Sequence, residues 1–168
     1  ASQDSAAGAK AAMFIGAAHE HGHFSLEQDI SKSNAWYKRA KNMLLDLSRA
    51  GETEATTYLG HLYQYGYVGF TEDKQQAFDN YQSAAKQGHA EAQFMLGQMY
   101  DKGEAVLQNK GVALKWYTRA ASQGLAKAQF RLAIAYLYGW HGATRDESKA
   151  IKWYRKAAEN GGAASQLE

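Results

Sequence analysis

The segment AEAQFMLGQMY, residues 90–100, decides the fold because it occurs again 36 residues later as AKAQFRLAIAY, residues 126–136. A looser copy, ATTYLGHLY, occupies residues 55–63. Each copy is followed by a second recurring block, which reads AFDNYQSAA (77–85), ALKWYTRAA (113–121) and AIKWYRKAA (150–158). Self-similarity at a fixed period of this length indicates a repeat protein, in which each repeat is one supersecondary unit.

A fourth and weaker copy opens the chain, with Gly16 lying 44 residues before its counterpart Gly60. The seven additional residues fall between Ala40 and Gly51, where the segment MLLDL favours a helix. Seven residues are about two helical turns, so they lengthen the second helix of this repeat without changing its buried face. We therefore predict one solenoid domain of four repeats, residues 9–50, 53–88, 90–124 and 126–161, with residues 162–168 as the start of a truncated repeat or a tail.

Two antiparallel helices are predicted in each repeat. A glycine follows each first helix and suits a left-handed C-cap; these glycines are Gly22, Gly66, Gly103 and Gly139. An Asp or Asn precedes each second helix and suits an N-cap; these residues are Asp29, Asp73, Asn109 and Asp146. The recurring Trp and Tyr of the second helices are expected to pack in the core, since they keep the repeat period.

The composition supports an all-α protein and excludes several classes of function. The chain has 168 residues, no Cys and no Pro, and its net charge is +2. Without Cys there is no disulfide scaffold, thiolate zinc site, iron–sulfur cluster or cysteine nucleophile. The mixed charges form no basic groove for nucleic acid, and no apolar run reaches the roughly 18 residues that span a bilayer. We predict no cofactor, no nucleic-acid partner and no membrane insertion.

The combined pattern is Ala-x-x-x-Leu-Gly-x-x-Tyr, then Gly, then Asp-x-x-x-Ala-x-x-Trp-Tyr-x-x-Ala-Ala-x-x-Gly, and it resembles the Sel-one-like repeat, a relative of the tetratricopeptide repeat. The resemblance covers about residues 9–161 and implies a right-handed α-solenoid with a concave groove. Three local departures affect the packing of single repeats: His19 replaces a Tyr, Ala133 replaces a Gly, and Asn80 replaces a Trp.

The resemblance also suggests where a partner binds, because the first helices of such solenoids line the concave face. The concave candidates are Thr57, His61, Tyr65, Phe94, Gln98, Lys102, Phe130, Ile134 and Tyr138. Loops between helices form a second aromatic-rich edge, whose candidates are Tyr67, Phe70, Trp140 and His141. Burial of these side chains by neighbouring repeats is the alternative that the sequence leaves open.

The sequence His19-Glu20-His21-Gly22-His23 matches the zinc-protease motif H-E-x-x-H. That motif needs both histidines on one face of a helix. Gly22 is expected to end the helix, so His23 lies beyond it, and we predict no metal site. Adventitious metal binding by this histidine cluster stays open.

The resemblance to Sel-one-like repeats implies a non-enzymatic scaffold or adaptor that binds a protein partner. Relatives work in bacterial envelope, signalling and secretion settings, and some are immunity proteins that neutralise a secreted toxin. Export, for example to the periplasm, is expected by analogy, with the cytoplasm as the alternative. The other classes are a metal-dependent or other hydrolase and a structural fragment of a longer solenoid.

Overall fold

The helices follow the repeat pattern. The computed structural model describes residues 5–24, 27–66 and 70–164, and these ranges hold eight α-helices and no strand. In chain order the helices are α1 Ala6–His21, α2 Ile30–Arg49, α3 Thr53–Tyr65, α4 Lys74–Lys86, α5 Ala90–Lys102, α6 Lys110–Ser122, α7 Ala126–Tyr138 and α8 Glu147–Ala164. Each predicted repeat thus supplies one pair of helices, and a single 3₁₀ turn, Trp140–Gly142, follows α7.

The predicted caps are confirmed at both kinds of helix end. All four glycines that follow the first helices have left-handed φ values between 63° and 75°, a conformation that carries no steric cost in glycine. The Asx side chains accept hydrogen bonds from backbone N–H groups three residues later, which satisfies donors that the helix itself leaves open. These pairs are Asp29–Lys32, Asp73–Gln76, Asn109–Val112 and Asp146–Lys149.

The second helix of the first repeat is longer than those of the next two repeats. Helix α2 has 20 residues, whereas α4 and α6 have 13 each and α8 has 18. In its additional two turns Leu44 is fully buried, and Leu47 packs against the same cluster. The extension therefore adds apolar surface to the core.

The chain divides into two compact units, Ala1–Ser83 and Ala84–Glu168. In unit 1 the helices α1, α2 and α3 surround a cluster that includes Ala9, Leu44 and Leu59. In unit 2 the helices α5 to α8 pack in sequence, and Leu96, Met99 and Leu132 are among its fully buried side chains.

A glycine on the first helix makes room for a tyrosine on the second. A Cβ built on Gly16, Gly60 or Gly97 would lie 2.4, 2.5 or 2.7 Å from the ring of the repeat's own tyrosine. These tyrosines, Tyr37, Tyr81 and Tyr117, are 8% exposed or less. The fourth repeat has Ala133 at the glycine position, and its tyrosine, Tyr154, is only half-buried. Ala133, which is expected to disturb the packing of this repeat, thus coincides with a less buried tyrosine ring.

The buried tyrosine hydroxyls need hydrogen-bond acceptors, and the residue two positions before the C-cap glycine supplies them. The hydroxyl of Tyr37 donates to Oε2 of Glu20 at 2.6 Å, and the hydroxyl of Tyr81 donates to Oε1 of Gln64 at 2.8 Å. A longer contact of 3.5 Å joins the hydroxyl of the third tyrosine to a carboxylate; these residues are Tyr117 and Asp101. In the fourth repeat the position is apolar, since Leu137 occupies it.

The recurring tryptophans of the second helices are only partly buried. All three are half-buried, Trp36 packs against the core cluster of unit 1, and each carries a cation over its ring. The distances from cation to ring centroid are 5.4, 4.6 and 4.7 Å for Arg39–Trp36, Arg119–Trp116 and Lys156–Trp153. The three-residue spacing of each pair places both members on one helix face, so the repeat period here preserves a surface contact.

Candidate protein-binding surfaces

The histidine cluster does not have the geometry of a helical zinc motif. Helix α1 ends at His21, and Gly22 is its left-handed C-cap with φ 68°. His23 therefore lies beyond the helix, as the sequence predicts, and its ring stacks on that of His21 at 5.7 Å. Within the described ranges, no three His, Asp or Glu side chains are grouped in a way that could hold a metal ion.

Two residues of unit 1 that are predicted to contact a protein partner are buried in the structure. Thr57 is 3% exposed and its hydroxyl donates to the carbonyl of Thr53 at 2.7 Å, so it does not face a partner. Phe70 is 5% exposed because it packs edge-on against Tyr63, at 5.0 Å, and under the ammonium of Lys41. Both predictions are wrong in this respect.

Other predicted residues of unit 1 lie nearer the surface. Tyr65 is 52% exposed at the end of α3. His61 is half-buried, with Nδ1 3.0 Å from the hydroxyl of Tyr81. Tyr67 lies outside the described residues.

In unit 2 the third repeat contributes less surface than predicted. Phe94 is 5% exposed, because its ring packs against Tyr117 at 5.6 Å and lies under the ammonium of Lys127 at 4.9 Å. Phe94 therefore exposes little surface, although its side chain lines a cavity beside Phe130. Gln98 is half-buried and Lys102 is exposed.

The predicted residues of the fourth repeat form an exposed aromatic surface. Phe130, Ile134 and Tyr138 are spaced four residues apart, which places them on one face of α7. Phe130 is 50% exposed, Tyr138 is 60% exposed, and Trp140 is 53% exposed and stacks on Tyr138 at 5.1 Å. We call these four residues the α7 surface.

Two cavities open beside the α7 surface, one on each side of Arg131. The first has a volume of about 750 Å³ and is lined mainly by apolar side chains of α7 and α8, among them Phe130, Tyr154 and Ala157. The second has a volume of about 450 Å³, and we call it the basic cavity. It is lined by Asp101, Lys110, Arg131, Ile134, Gly139, Trp140 and His141.

His141 reaches the basic cavity through an unusual backbone conformation. It is not a glycine, yet its φ is 59°, a value that costs energy in residues with a Cβ. The equivalent loop residues two positions after the C-cap glycines, Phe24 and Ala105, have φ values of 56° and 59°. The loop thus keeps one backbone shape while the side chain at this position differs from repeat to repeat.

The environment of His141 is polar and largely closed to water. Its side chain is 12% exposed, and Nδ1 lies 3.5 Å from Oδ1 of Asp101. That contact does not meet the geometry of a hydrogen bond, and Nδ1 is buried without a hydrogen-bond partner in the described chain. The hydroxyl of Tyr117 approaches the other oxygen of the carboxylate at 3.5 Å. Burial, followed by the negative charge of Asp101, raises the pKa of Tyr117 above its ordinary value.

Gln93 and Gln129 occupy equivalent positions in two repeats, and the sequence pattern alone does not predict their structural role. Nε2 of Gln93 donates to the carbonyl of Ala85 at 3.2 Å, and its Oε1 accepts a hydrogen bond from Gln123 at 2.8 Å. The fourth repeat has the same arrangement around Gln129, with Ala121 as acceptor and Asn160 as donor. Only the recurrence of Gln at equivalent positions indicated this link between successive helices.

Hydropathy along the helices also bears on membranes. Among the helices in the described ranges, not one combines the length with the apolar character that crossing a bilayer requires.

Comparison with known proteins identifies the repeats. The profile of the Sel1 repeat matches residues 9–43, 53–89, 90–125 and 126–162. No curated protein matches the chain significantly.

Two solved structures share the fold. A Sel1 repeat protein from Oxalobacter formigenes is 29% identical, with a TM-score of 0.65, over 91% of this chain and 41% of its own. A protective antigen present in uropathogenic Escherichia coli strains, which displays an SLR fold, is 35% identical, with a TM-score of 0.68, over 91% of this chain and 31% of its own. This chain thus spans less than half the length of either relative.

A more distant structure is that of an immunity protein, the class named above as an alternative function. The immunity protein Pa5087 from Pseudomonas aeruginosa is 20% identical, with a TM-score of 0.48, over 90% of this chain and 68% of its own. A likeness this weak carries no functional argument.

Each matched repeat overlaps both helices of one predicted pair, although the first match ends at residue 43, within α2. The two better-matching structures confirm the predicted all-α solenoid class. Sel1 repeat proteins are generally protein-interaction scaffolds. The chain belongs to the Sel1 repeat family.

Proposed function

We propose that this chain is a non-catalytic protein-binding module and that the α7 surface of unit 2 contacts its partner. The observation that carries the proposal is the exposure of three large aromatic side chains, Phe130, Tyr138 and Trp140, each at least 50% accessible, on one helix and its following turn. Family membership supports the class of function, since such repeats generally serve as interaction scaffolds.

The composition of the α7 surface favours a protein partner. Tyr and Trp are enriched at the residues that contribute most to protein interfaces, because they bury large areas with few rotatable bonds. The apolar cavity beside Phe130 offers a recess into which a partner side chain can insert. Exposed aromatic residues that cluster in this way mark interaction sites more often than scattered ones do.

A matched set of variants tests the proposal. The double variant Phe130→Ser with Tyr138→Ser removes two aromatic rings from the α7 surface. Leu107→Ser is the control, since Leu107 is 90% exposed in the same unit but lies in the loop after α5. Each protein serves as bait in lysate of the source organism, and captured proteins are identified by mass spectrometry.

The expected result is a partner captured by the parent protein and by Leu107→Ser but lost with the double variant. Circular dichroism should show equal helicity in all three proteins, because the replaced side chains are largely exposed. If the same partners remain on the double variant, the α7 surface is not the binding site.

We propose a periplasmic or otherwise exported location, with the cytoplasm as the alternative. The support is the similarity to the Escherichia coli relative described as a protective antigen. Fractionation of the source cells tests this directly, since recovery in the cytoplasmic fraction alone would contradict it.

A further inference from the structure

We propose that the basic cavity binds a side-chain carboxylate of the partner, so that the α7 surface recognises a peptide segment in which an acidic residue neighbours apolar ones. This inference rests on the proposed function, because it names the chemistry of the segment that the α7 surface contacts.

The lining of the basic cavity has an excess of positive charge. Lys110 and Arg131 are exposed, and neither forms an ion pair with another residue of the described chain. The one carboxylate in the lining, Asp101, already faces His141 and the hydroxyl of Tyr117. Two cations that line one cavity without an internal partner attract an anion, and Arg in particular binds carboxylates through paired hydrogen bonds.

Three other cations of unit 2 are paired within the chain: Lys127 with Glu91, Arg145 with Glu147, and Lys149 with Asp146. A second group of cations, Lys152, Arg155 and Lys156, lies on α8 and lines a separate cavity with Trp153 and Glu159. Lys110 and Arg131 are the cations of the cavity that adjoins the α7 surface, so a partner carboxylate beside the exposed aromatic rings is attracted to them.

His141 distinguishes the basic cavity from the equivalent place in the third repeat. Its ring is held between Asp101 and the cavity by a left-handed backbone that is costly for a residue with a Cβ. The equivalent loop of the third repeat has the same backbone but carries Ala105, which adds no polar group. The fourth repeat alone, among the described loops, thus combines this loop with an imidazole next to two cations.

The apolar wall of the cavity explains why the acidic residue should have apolar neighbours. Ile134 and Trp140 belong both to the cavity lining and to the α7 surface. A segment that places a carboxylate between Lys110 and Arg131 therefore lies directly beside the exposed aromatic rings. Binding then combines a charged contact that orients the segment with apolar burial that supplies most of the affinity.

Selection from a random-peptide phage library tests the proposal without knowledge of the natural partner. The bait is the full chain as parent protein, as Arg131→Gln, and as Lys115→Gln. The last variant is the control, because Lys115 is exposed on α6 and does not line the cavity. The most enriched peptide is then synthesised with acetylated and amidated ends, so that its termini cannot supply a carboxylate, and its affinity is measured by calorimetry.

We expect the parent protein to select peptides that carry Asp or Glu beside aromatic or aliphatic residues. Arg131→Gln should weaken binding at least about tenfold, since a charge-assisted contact is lost, whereas Lys115→Gln should change it less than about twofold. Replacing the acidic residue of the peptide by its amide should weaken binding to the parent protein more than to Arg131→Gln, because the two changes share one contact and only the contact with Lys110 remains in the variant.

Any of four results would overturn the inference. The first is that no acidic peptide is selected, the second is that Arg131→Gln binds as the parent does, and the third is that the two changes weaken binding additively. A phosphoserine at the acidic position that binds far more tightly than Asp or Glu would also overturn it, in favour of a phosphate site.

Two outcomes would separate a failure of the carboxylate contact from a failure of the α7 surface as a binding site. Peptides that need Phe130 and Tyr138 but not Arg131 would leave the α7 surface as a binding site and remove the carboxylate contact. Acidic peptides that need Arg131 but are unaffected by the Phe130→Ser, Tyr138→Ser variant would keep the carboxylate contact and contradict the proposed surface.

Discussion

The ring of Tyr117 occupies the space that a side chain on Gly97 would fill. A Cβ built on Gly97 would lie 2.7 Å from Cε1 and 2.8 Å from Cδ1 of that ring. The tyrosine is 1% exposed, so its ring has little room to move aside. The same relationship between the two helices of a repeat recurs at Gly16 and Gly60.

Gly97→Ala should therefore destabilise the protein, although alanine is the better helix former. Overpacking of a closed core typically costs about 1–3 kcal/mol, which exceeds the gain of up to about 1 kcal/mol from helix propensity. The control is Gly111→Ala on α6, where the nearest atom to the new Cβ would be 3.6 Å away. Chemical denaturation should show a loss for the first variant and no loss for the second. Equal stabilisation by both would contradict the packing described here.

Removal of the Tyr37 hydroxyl tests the hydrogen bond to Glu20. Tyr37→Phe should lower the free energy of unfolding by about 1 kcal/mol, because a mostly buried hydroxyl loses its acceptor interaction. Tyr154→Phe is the matched control, since no described residue accepts from that hydroxyl and Leu137 occupies the acceptor position. We expect a change of less than about 0.5 kcal/mol there. Similar losses for both variants would mean that the hydroxyl of Tyr37 contributes no specific bond.

Gln93 should contribute to stability although it is polar and buried. Gln93→Ala removes a donor from the carbonyl of Ala85 and an acceptor from Gln123, with an expected cost of about 1–3 kcal/mol. Gln75→Ala, on the exposed face of α4, should change the free energy of unfolding by less than about 0.5 kcal/mol. Thermal unfolding monitored by circular dichroism separates the two outcomes. A Gln93→Ala variant as stable as the parent would remove the role given to this side chain.

The raised pKa of Tyr117 predicts a loss of stability at alkaline pH. In the unfolded chain this hydroxyl titrates near its ordinary pKa of 10.0, whereas burial and Asp101 raise the pKa in the folded protein. Above pH 10.0 the unfolded state has released the proton while the folded state still holds it, so the folded state is progressively disfavoured. The stability that depends on the protonated Tyr117 hydroxyl is therefore present in full below pH 10.0 and declines as the pH rises above it.

Urea denaturation over an alkaline pH series measures this effect. The decline should be smaller in Tyr117→Phe than in the parent protein, since the variant lacks the titrating group. An unchanged slope would show that other groups cause the alkaline sensitivity.

The repeat pattern by itself determined the paired helices, their number and their ends. A cap depends on one residue and the backbone beside it, so Gly103 and Asn109 could be assigned from local chemistry alone. The longer α2 was also predictable, because a seven-residue insertion preserves the face of a helix. Tyr154 is less buried in the repeat that has Ala133 in place of glycine. The sequence predicts this only in general terms, as altered packing of that repeat.

Tertiary structure decided which side chains reach the surface. Phe94 and Phe130 occupy the same repeat position, yet Phe94 is 5% exposed and Phe130 is 50% exposed. The repeat pattern cannot distinguish them, since exposure depends on what packs over a residue. Both rings pack against the tyrosine of their own repeat, at 5.6 and 5.5 Å, but Phe94 also lies under the ammonium of Lys127. The basic cavity likewise unites Asp101, Lys110, Arg131 and His141 from three helices and a loop. Local sequence sets helices and caps because their interactions span a few residues, whereas a binding surface depends on contacts between distant parts of the chain.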